Sequence, residues 1–388
     1  MNANWNYPTA IRVGAERLSE LGECCRDLDM RSPLLVTDPG LAALPMVGQA
    51  RDACANSGLT CKVFSEIQPN PTGTNVDAGV SVFNQGSHDG VIALGGGSAL
   101  DAGKAIALMA RQSVSLWDLE DVGDNWTRAD ASLIAPIVAV PTTAGTGSEV
   151  GRASVILDEA REVKKIIFHP LMVPKIVILD PVVTVGLPAA LTGATGMDAL
   201  SHSLEAWCSP AYHPMAEGIA IEGIRLVREF LPQAVADGSD LEARTQMLVA
   251  STMGATAFQR GLGAMHALAH PLGALYNAHH GTLNAVLMPY VLQANRLVIE
   301  ARITRLARAI GIANPGFDTF LDWILQLRET LQIAPDLAEL GIDDSEAARI
   351  GEMAKADPSS GTNPLPFSAS EYQALFLRAL NGNLEAGA

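Results

Sequence analysis

Asp89-Gly90-Val91-Ile92-Ala93-Leu94-Gly95-Gly96-Gly97-Ser98-Ala99 is the stretch that decides the fold. A short apolar run enters three consecutive glycines, and an alanine-rich segment at 99–110 follows. The run reads as a strand buried on both faces, and the segment after it as a helix. Three glycines in a row cost backbone entropy, so the loop is expected to have a function. Glycine lets the backbone approach a ligand, and the helix start offers free N–H groups and a positive dipole end to a diphosphate. Gly95, Gly96, Gly97 and Ser98 are therefore candidate cofactor-binding residues. Asp101 and Lys104 fall on the first helical turns, where they order the loop or touch the cofactor.

The loop lacks the usual GxGxxG spacing with an acid about 20 residues downstream. The candidate acid, Asp38, comes earlier, at the end of a strand at 32–38. A carboxylate there accepts the adenosine-ribose hydroxyls and repels a 2′-phosphate, which favours NAD over NADP. The plain reading of Asp38-Pro39-Gly40 is a turn.

Working outward, further strands are expected at 61–64, 134–140 and 175–181, with helical segments between them. Strands alternating with helices imply a largely parallel sheet. Pro141-Thr142-Thr143-Ala144-Gly145-Thr146-Gly147-Ser148-Glu149 follows one strand; so rich in small hydroxyl residues and glycine, it is either a cofactor-lining loop or an ordinary connection. Near 187 the texture changes to helical periodicity, with helices expected at 196–207, 215–231, 241–258, 265–276 and 300–310. The fold class is thus an α/β dinucleotide-binding domain over 1–186 and an all-α metal-binding domain over 187–388.

The 388 residues, 48% of them hydrophobic and 18% charged, suit a folded two-domain enzyme. A net charge of −16 argues against nucleic acid or an anionic membrane as partner. Five cysteines match neither a CxxC metal pair nor a disulfide framework, and no signal peptide or apolar span is evident, so a cytoplasmic setting is expected.

His266, His270, His279 and His280 supply half of the chain's eight histidines within residues 266–280. Imidazole is the commonest side-chain ligand of divalent transition metals. Asp198 and His202 lie four residues apart, one turn on a helix. Nitrogen donors with one carboxylate suit Fe²⁺ or Zn²⁺ better than Mg²⁺ or Ca²⁺; the bland alternative for Asp198 and His202 is a hydrogen-bonded core pair. Spacing alone nominates His266 and His270. His280 would lie roughly 21 Å along an unbroken helix from His266. It joins them only if the helix ends and the chain turns back, with Asn277 and Gly281 as the stop signals.

These motifs, their order and their separations resemble the iron-containing (group III) alcohol dehydrogenases over most of the chain. The matching motifs are Pro69-Asn70-Pro71-Thr72, the 95–98 loop with Asp101 and Lys104, and Pro141 through Glu149. They continue with Gly196-Met197-Asp198-Ala199-Leu200-Ser201-His202, Gly263 through Gly273, His280-Gly281, Asp357-Pro358 and Asn363-Pro364. The resemblance implies a metal held by Asp198, His202, His266 and His280, with His270 beside the site rather than a ligand; His270 is the candidate proton relay, the bland alternative being packing behind the ligands. It places Asn70, the 95–98 loop, Thr142, Thr143 and Lys164 along NAD and supports Asp38 as the selecting acid. It implies Fe²⁺, with Zn²⁺ as the other fitting ion, and a homodimer or larger homo-oligomer. Two departures stand out: His279 where many members carry proline, and Ala153 where some relatives place an asparagine.

The implied reaction is hydride transfer between a small alcohol and NAD, with the metal as Lewis acid. Arg152 and Arg260 are the candidate substrate anchors, since a guanidinium holds a carboxylate bidentately. Residues 257–263 resemble the family's 4-hydroxybutyrate dehydrogenase branch, which points to a short ω-hydroxy acid such as 4-hydroxybutyrate or 3-hydroxypropionate. The alternatives are a neutral alcohol of the lactaldehyde/propanediol kind and a dehydroquinate synthase-like lyase using NAD and a metal.

Overall fold

The computed structural model describes residue 7 and residues 9–384. Residues Tyr7–Leu187 form one compact unit and the chain from Pro188 another.

In the first unit, strands β1 (Ala10–Val13), β2 (Pro33–Val36), β3 (Lys62–Phe64), β4 (Gly90–Gly95), β5 (Ile137–Pro141) and β8 (Ile176–Leu179) make a six-stranded sheet. Its order is β1-β8-β5-β4-β2-β3, and every neighbouring pair is parallel. Every residue of β2, β4, β5 and β8 is buried, as continuous apolar runs covered on both faces require. The covering helices of this unit are α1 (Leu21–Asp27), the single-turn α2 (Pro39–Ala42), α3 (Pro45–Asn56), α4 (Gly73–Gln85) and α5 (Gly97–Met109). Strands β6 (Ala153–Asp158) and β7 (Val163–Phe168) form a separate antiparallel hairpin.

The strand order carries the functional point. The chain runs from β2 outward to β3, then returns to place β4 on the other side of β2. Such a reversal leaves a crevice beyond the strands' carboxyl ends, which is where open α/β sheets bind ligands. Asp38 follows β2 and the glycine loop follows β4, so the two flank that crevice.

The second unit is helical: α6 (Ala189–Cys208), α7 (Pro214–Ala236), α8 (Leu241–Ala257), α9 (Ala264–Tyr276), α10 (His280–Ala309), α11 (Phe317–Thr330), α12 (Ala347–Ala356) and α13 (Ala369–Leu380). The apolar center of α6 is buried nearly all round, and Trp207 near its end is fully covered. No helix among the described residues is long and apolar enough to cross a membrane.

Candidate metal centre and dinucleotide face

The candidate dinucleotide face is built by three adjacent strands, β2, β4 and β5, that end at the same edge. Gly95 pairs with Pro141 across β4 and β5, and the Thr142 N–H donates to the Gly95 carbonyl at 2.9 Å. Gly95 has φ +150°, a conformation L side chains rarely adopt. A side chain there would also meet Ala99 Cβ at 2.7 Å. Asp38 sits beside this glycine: a Cβ on Gly95 would lie 3.6 Å from Asp38 Oδ2. Its Oδ1 accepts the Leu41 N–H at 3.0 Å, so Asp38 is both a turn residue and the acid beside the loop. Ser98 Oγ donates to the Pro69 carbonyl, which fastens the segment bearing Asn70 to the loop. The Leu157 N–H donates to the Pro71 carbonyl at 2.8 Å, and Lys164 pairs with Leu157 across the hairpin. Asn70, the glycine loop, Thr142 and the hairpin bearing Lys164 are thus linked by direct bonds. Burial pushes the Lys164 ammonium down to about 8 against the opposing pull of Asp101.

Asp101 and Lys104 order the structure around the loop. Asp101 accepts from Ser148 Oγ and from the Val155 N–H (2.9 Å), and pairs with Lys104 Nζ at 3.2 Å. Lys104 Nζ donates to the carbonyls of Ser148 (3.0 Å) and Ala153. Both side chains are buried, and they pin β6 against α5.

In the helical unit, α6 presents Asp198, His202 and Glu205 on one face, at the i, i+4, i+7 spacing. His266 lies in the first turn of α9. That helix ends at Tyr276, where Asn277 takes the left-handed conformation (φ 51°). The chain turns, His279 caps α10, and His280 is its first residue. Gly281 is therefore no stop signal. It lies inside α10 because α10 presses on α6 there: a Cβ at 281 would sit 2.4 Å from the Ala194 carbonyl oxygen.

Four donors converge. Asp198 Oδ1 lies 3.9 Å from His202 Nε2, 3.9 Å from His266 Nε2 and 3.6 Å from His280 Nε2. The ligand atoms of Asp198, His202 and His266 are all within 4.8 Å of one another, and all three residues are buried. The His202 and His266 rings stack at 4.7 Å. Burial raises the Asp198 carboxyl, but the charges of His202, His280 and His266 and the Asn284 hydrogen bond outweigh it, holding the carboxyl well below the usual range.

The cluster fits a cation. Asn284 Nδ2 donates to Asp198 Oδ1 at 2.8 Å and lies 3.2 Å from both His266 Nε2 and His280 Nε2. Two amide hydrogens face three acceptors, and Asn284 Oδ1 is itself buried with no hydrogen-bond partner among the described residues. An excess of inward-facing lone pairs is the condition that a bound ion relieves. Three imidazoles and a carboxylate suit Fe²⁺ or Zn²⁺.

His270, nominated by spacing, stands beside the cluster, edge-on to the His266 ring at 5.9 Å. Its Nδ1 is 2.7 Å from Asp357 Oδ2, and its ring stacks on His280 at 5.5 Å. Burial raises the Asp357 carboxyl, yet the charge and hydrogen bond of His270 and the bonds from Ser359 lower it overall. His279 Nδ1 accepts the Thr282 N–H at 3.3 Å, a helix cap.

Arg260 is not a substrate anchor. Its Nε donates to the Ala211 carbonyl (2.6 Å) and its Nη1 to those of Ala206 and Trp207 (both 2.9 Å). Nη2 pairs with Glu217 at 2.9 Å, and the residue is 4% exposed. The guanidinium closes the carboxyl end of α6, which leaves no fork for a ligand. Arg152 is half-buried, with its guanidinium 5.5 Å from the Phe168 ring centroid.

Glu205, Asn284 and Asp357 are the residues that sequence reasoning left without a role. Glu205 had a signal: a carboxylate three residues after His202 in an apolar helix. Asn284 follows His280 by one turn. Asp357 stood in a matching motif, but nothing local tied it to His270, 87 residues away.

A family model described as iron-containing alcohol dehydrogenase matches residues 8–181, and one described as the C-terminal part of the Fe-containing alcohol dehydrogenase family matches 192–380. The chain is 38% identical over 385 residues to the 4-hydroxybutyrate dehydrogenase of Cupriavidus necator, covering 96% of this chain and 99% of that one. Its structure is similar to that of a 1,3-propanediol oxidoreductase, with TM-score 0.93 and 35% identity over 98% of this chain and 100% of that one. It is also similar to the sulfoacetaldehyde reductase of Bifidobacterium kashiwanohense in complex with NAD⁺, with TM-score 0.89 and 28% identity over 98% and 99% of the two chains.

Proposed function

The chain belongs to the iron-containing alcohol dehydrogenase family and is an alcohol/aldehyde oxidoreductase, and we propose that its substrate is a short ω-hydroxy acid and the matching semialdehyde. The observation that carries this is the 38% identity to a 4-hydroxybutyrate dehydrogenase along nearly the whole of both chains. With Arg260 occupied, Arg152 is the remaining candidate for the substrate carboxylate. Each of the three relatives above is named as a dehydrogenase, oxidoreductase or reductase, which sets the lyase reading aside.

Asp198, His202, His266 and His280 would hold the metal; Asp38, Asn70, Gly95 to Ser98, Thr142, Thr143 and Lys164 would hold NAD(H), with Asp101 ordering their loop. When bound, the metal supplies Lewis acidity at the alcohol or carbonyl oxygen and the nicotinamide accepts or gives the hydride. Asp38 discriminates at the adenosine ribose, since a 2′-phosphate would meet its charge. Asp357 accepts Nδ1–H of His270, so Nε2 is the nitrogen that takes up the proton released in alcohol oxidation. The five cysteines are free thiols, which supports a cytoplasmic setting, and the resemblance supports a homo-oligomer.

The deciding experiment is anaerobic, Fe²⁺-reconstituted turnover of succinate semialdehyde and lactaldehyde, each with NADH and NADPH. Faster turnover of the semialdehyde with NADH is expected. Preference for lactaldehyde would overturn the carboxylate substrate, and preference for NADPH would overturn the role of Asp38. The relay has its own test. His270→Ala should lower kcat for alcohol oxidation about 100-fold, the lower end for a general base, and change the pH profile of kcat. An unchanged rate and profile would remove His270 from the chemistry.

A further inference from the structure

Glu205 is buried to 4% exposure, and both of its oxygens are committed to α9. Oε2 lies 2.7 Å from His266 Nδ1, and Oε1 accepts the Met265 N–H at 2.7 Å. The Ala264 N–H donates to Asn363 Oδ1 at 3.0 Å, so the first turn of α9 is capped by side chains from elsewhere in the unit. Its own N-cap position is Gly263, which has no side chain to serve.

We propose that Glu205 is a positioning residue for the metal centre; the inference rests on the metal reading above. By accepting Nδ1–H, Glu205 fixes the His266 imidazole in the one tautomer that leaves Nε2 as a lone pair toward Asp198. By accepting the Met265 N–H, it locks the turn that carries His266 onto α6, the helix that carries Asp198 and His202. Two donors face Glu205, and only a carboxylate offers two accepting oxygens at that spacing. An amide offers one oxygen and one NH₂ group. With an amide at 205, either the helix cap is lost or an N–H meets Nδ1. In the second case the imidazole proton moves to Nε2 and occupies the lone pair that a metal needs.

The test is a Co²⁺ titration of metal-free protein, followed by visible absorption, for wild type, E205Q and N363A. Wild type is expected to take up one equivalent, and E205Q to bind about 10- to 100-fold more weakly, the range for losing such an outer partner. N363A removes a cap of the same helix without touching the imidazole, so it should lower Tm and leave Co²⁺ affinity near that of wild type. Equal affinity in E205Q, or an equal loss in N363A, would overturn the proposal while leaving the metal reading intact. A wild type that takes up no Co²⁺ would overturn the metal reading itself, and the proposal with it. If E205Q does not fold, ¹⁵N-histidine NMR of the Zn²⁺-loaded wild type decides. His266 should carry its proton on Nδ1; a proton on Nε2, or metal on Nδ1, would overturn the role of Glu205.

Discussion

Asp198→Asn should lower kcat/KM by about 10³-fold or more and strip the protein of tightly held metal. Lewis-acid stabilisation of developing charge is worth several kcal/mol, and each 1.36 kcal/mol is about a tenfold change in rate. Asp198 is the charged member of the candidate donor set, its Oδ1 3.6 to 3.9 Å from three imidazole nitrogens. The substitution is nearly isosteric, so the packing of α6 should survive. It removes the cost of burying a carboxylate at 3% exposure together with the attraction of the three imidazoles that offsets it, while the Asn284 hydrogen bond keeps an oxygen to accept it. The expected signature is therefore a collapse of activity and metal content with the Tm of the metal-free protein changed by no more than a few degrees, about 1 kcal/mol in a chain of this size. Metal analysis, steady-state kinetics and calorimetry on one preparation measure all three. Full metal occupancy with normal turnover would remove Asp198 from the centre.

The parts of this architecture that were legible in the sequence are those whose physics is local. β2, β4, β5 and β8 are unbroken apolar runs because both faces of the sheet are covered, and such runs announce themselves. β1 lies at an edge of the sheet with its end residues exposed, and it gave no signal; β3 at the opposite edge gave a weak one. The β6–β7 hairpin was missed because its burial alternates and Lys164 and Lys165 interrupt the second strand. The helix expected at 196–207 begins earlier, at Ala189, and Gly196 lies inside it, packed against Leu231.

Site residues followed the same division. The glycine loop, Asp38 and the Asp198/His202 pair show themselves through neighbours in sequence. The choice between His270 and His280 does not. It depends on a turn at Asn277 that breaks the helical line and brings His280 back to Asp198, and His270 takes its Nδ1 partner, Asp357, from far along the chain. Arg260 misled for a related reason: apart from Glu217, its partners are main-chain carbonyls, which no side-chain pattern displays.

Gly281→Ala tests how far the centre depends on that turn. A methyl group at 281 would lie 2.4 Å from the Ala194 carbonyl oxygen and 2.9 Å from its carbon, both backbone atoms that cannot rotate away. Alanine's advantage in helix propensity is at most about 1 kcal/mol at an interior position and less in a first turn. Overpacking costs typically about 1–3 kcal/mol, so the clash wins and Tm should fall. The larger effect is on function. Relief of the clash requires α10 to lift from α6 at its first turn, where His280 is the preceding residue and its Nε2 stands 3.6 Å from Asp198 Oδ1. A displacement of about 1 Å in a reacting constellation costs on the order of 100-fold in rate. Gly281→Ala should therefore lose about that factor in kcat/KM and bind Co²⁺ more weakly. NADH binding, read by fluorescence, should stay at the wild-type level because its candidate residues lie in the other unit. Retained activity and metal affinity would mean that the start of α10 moves freely against α6, and that the seating of His280 does not depend on this contact.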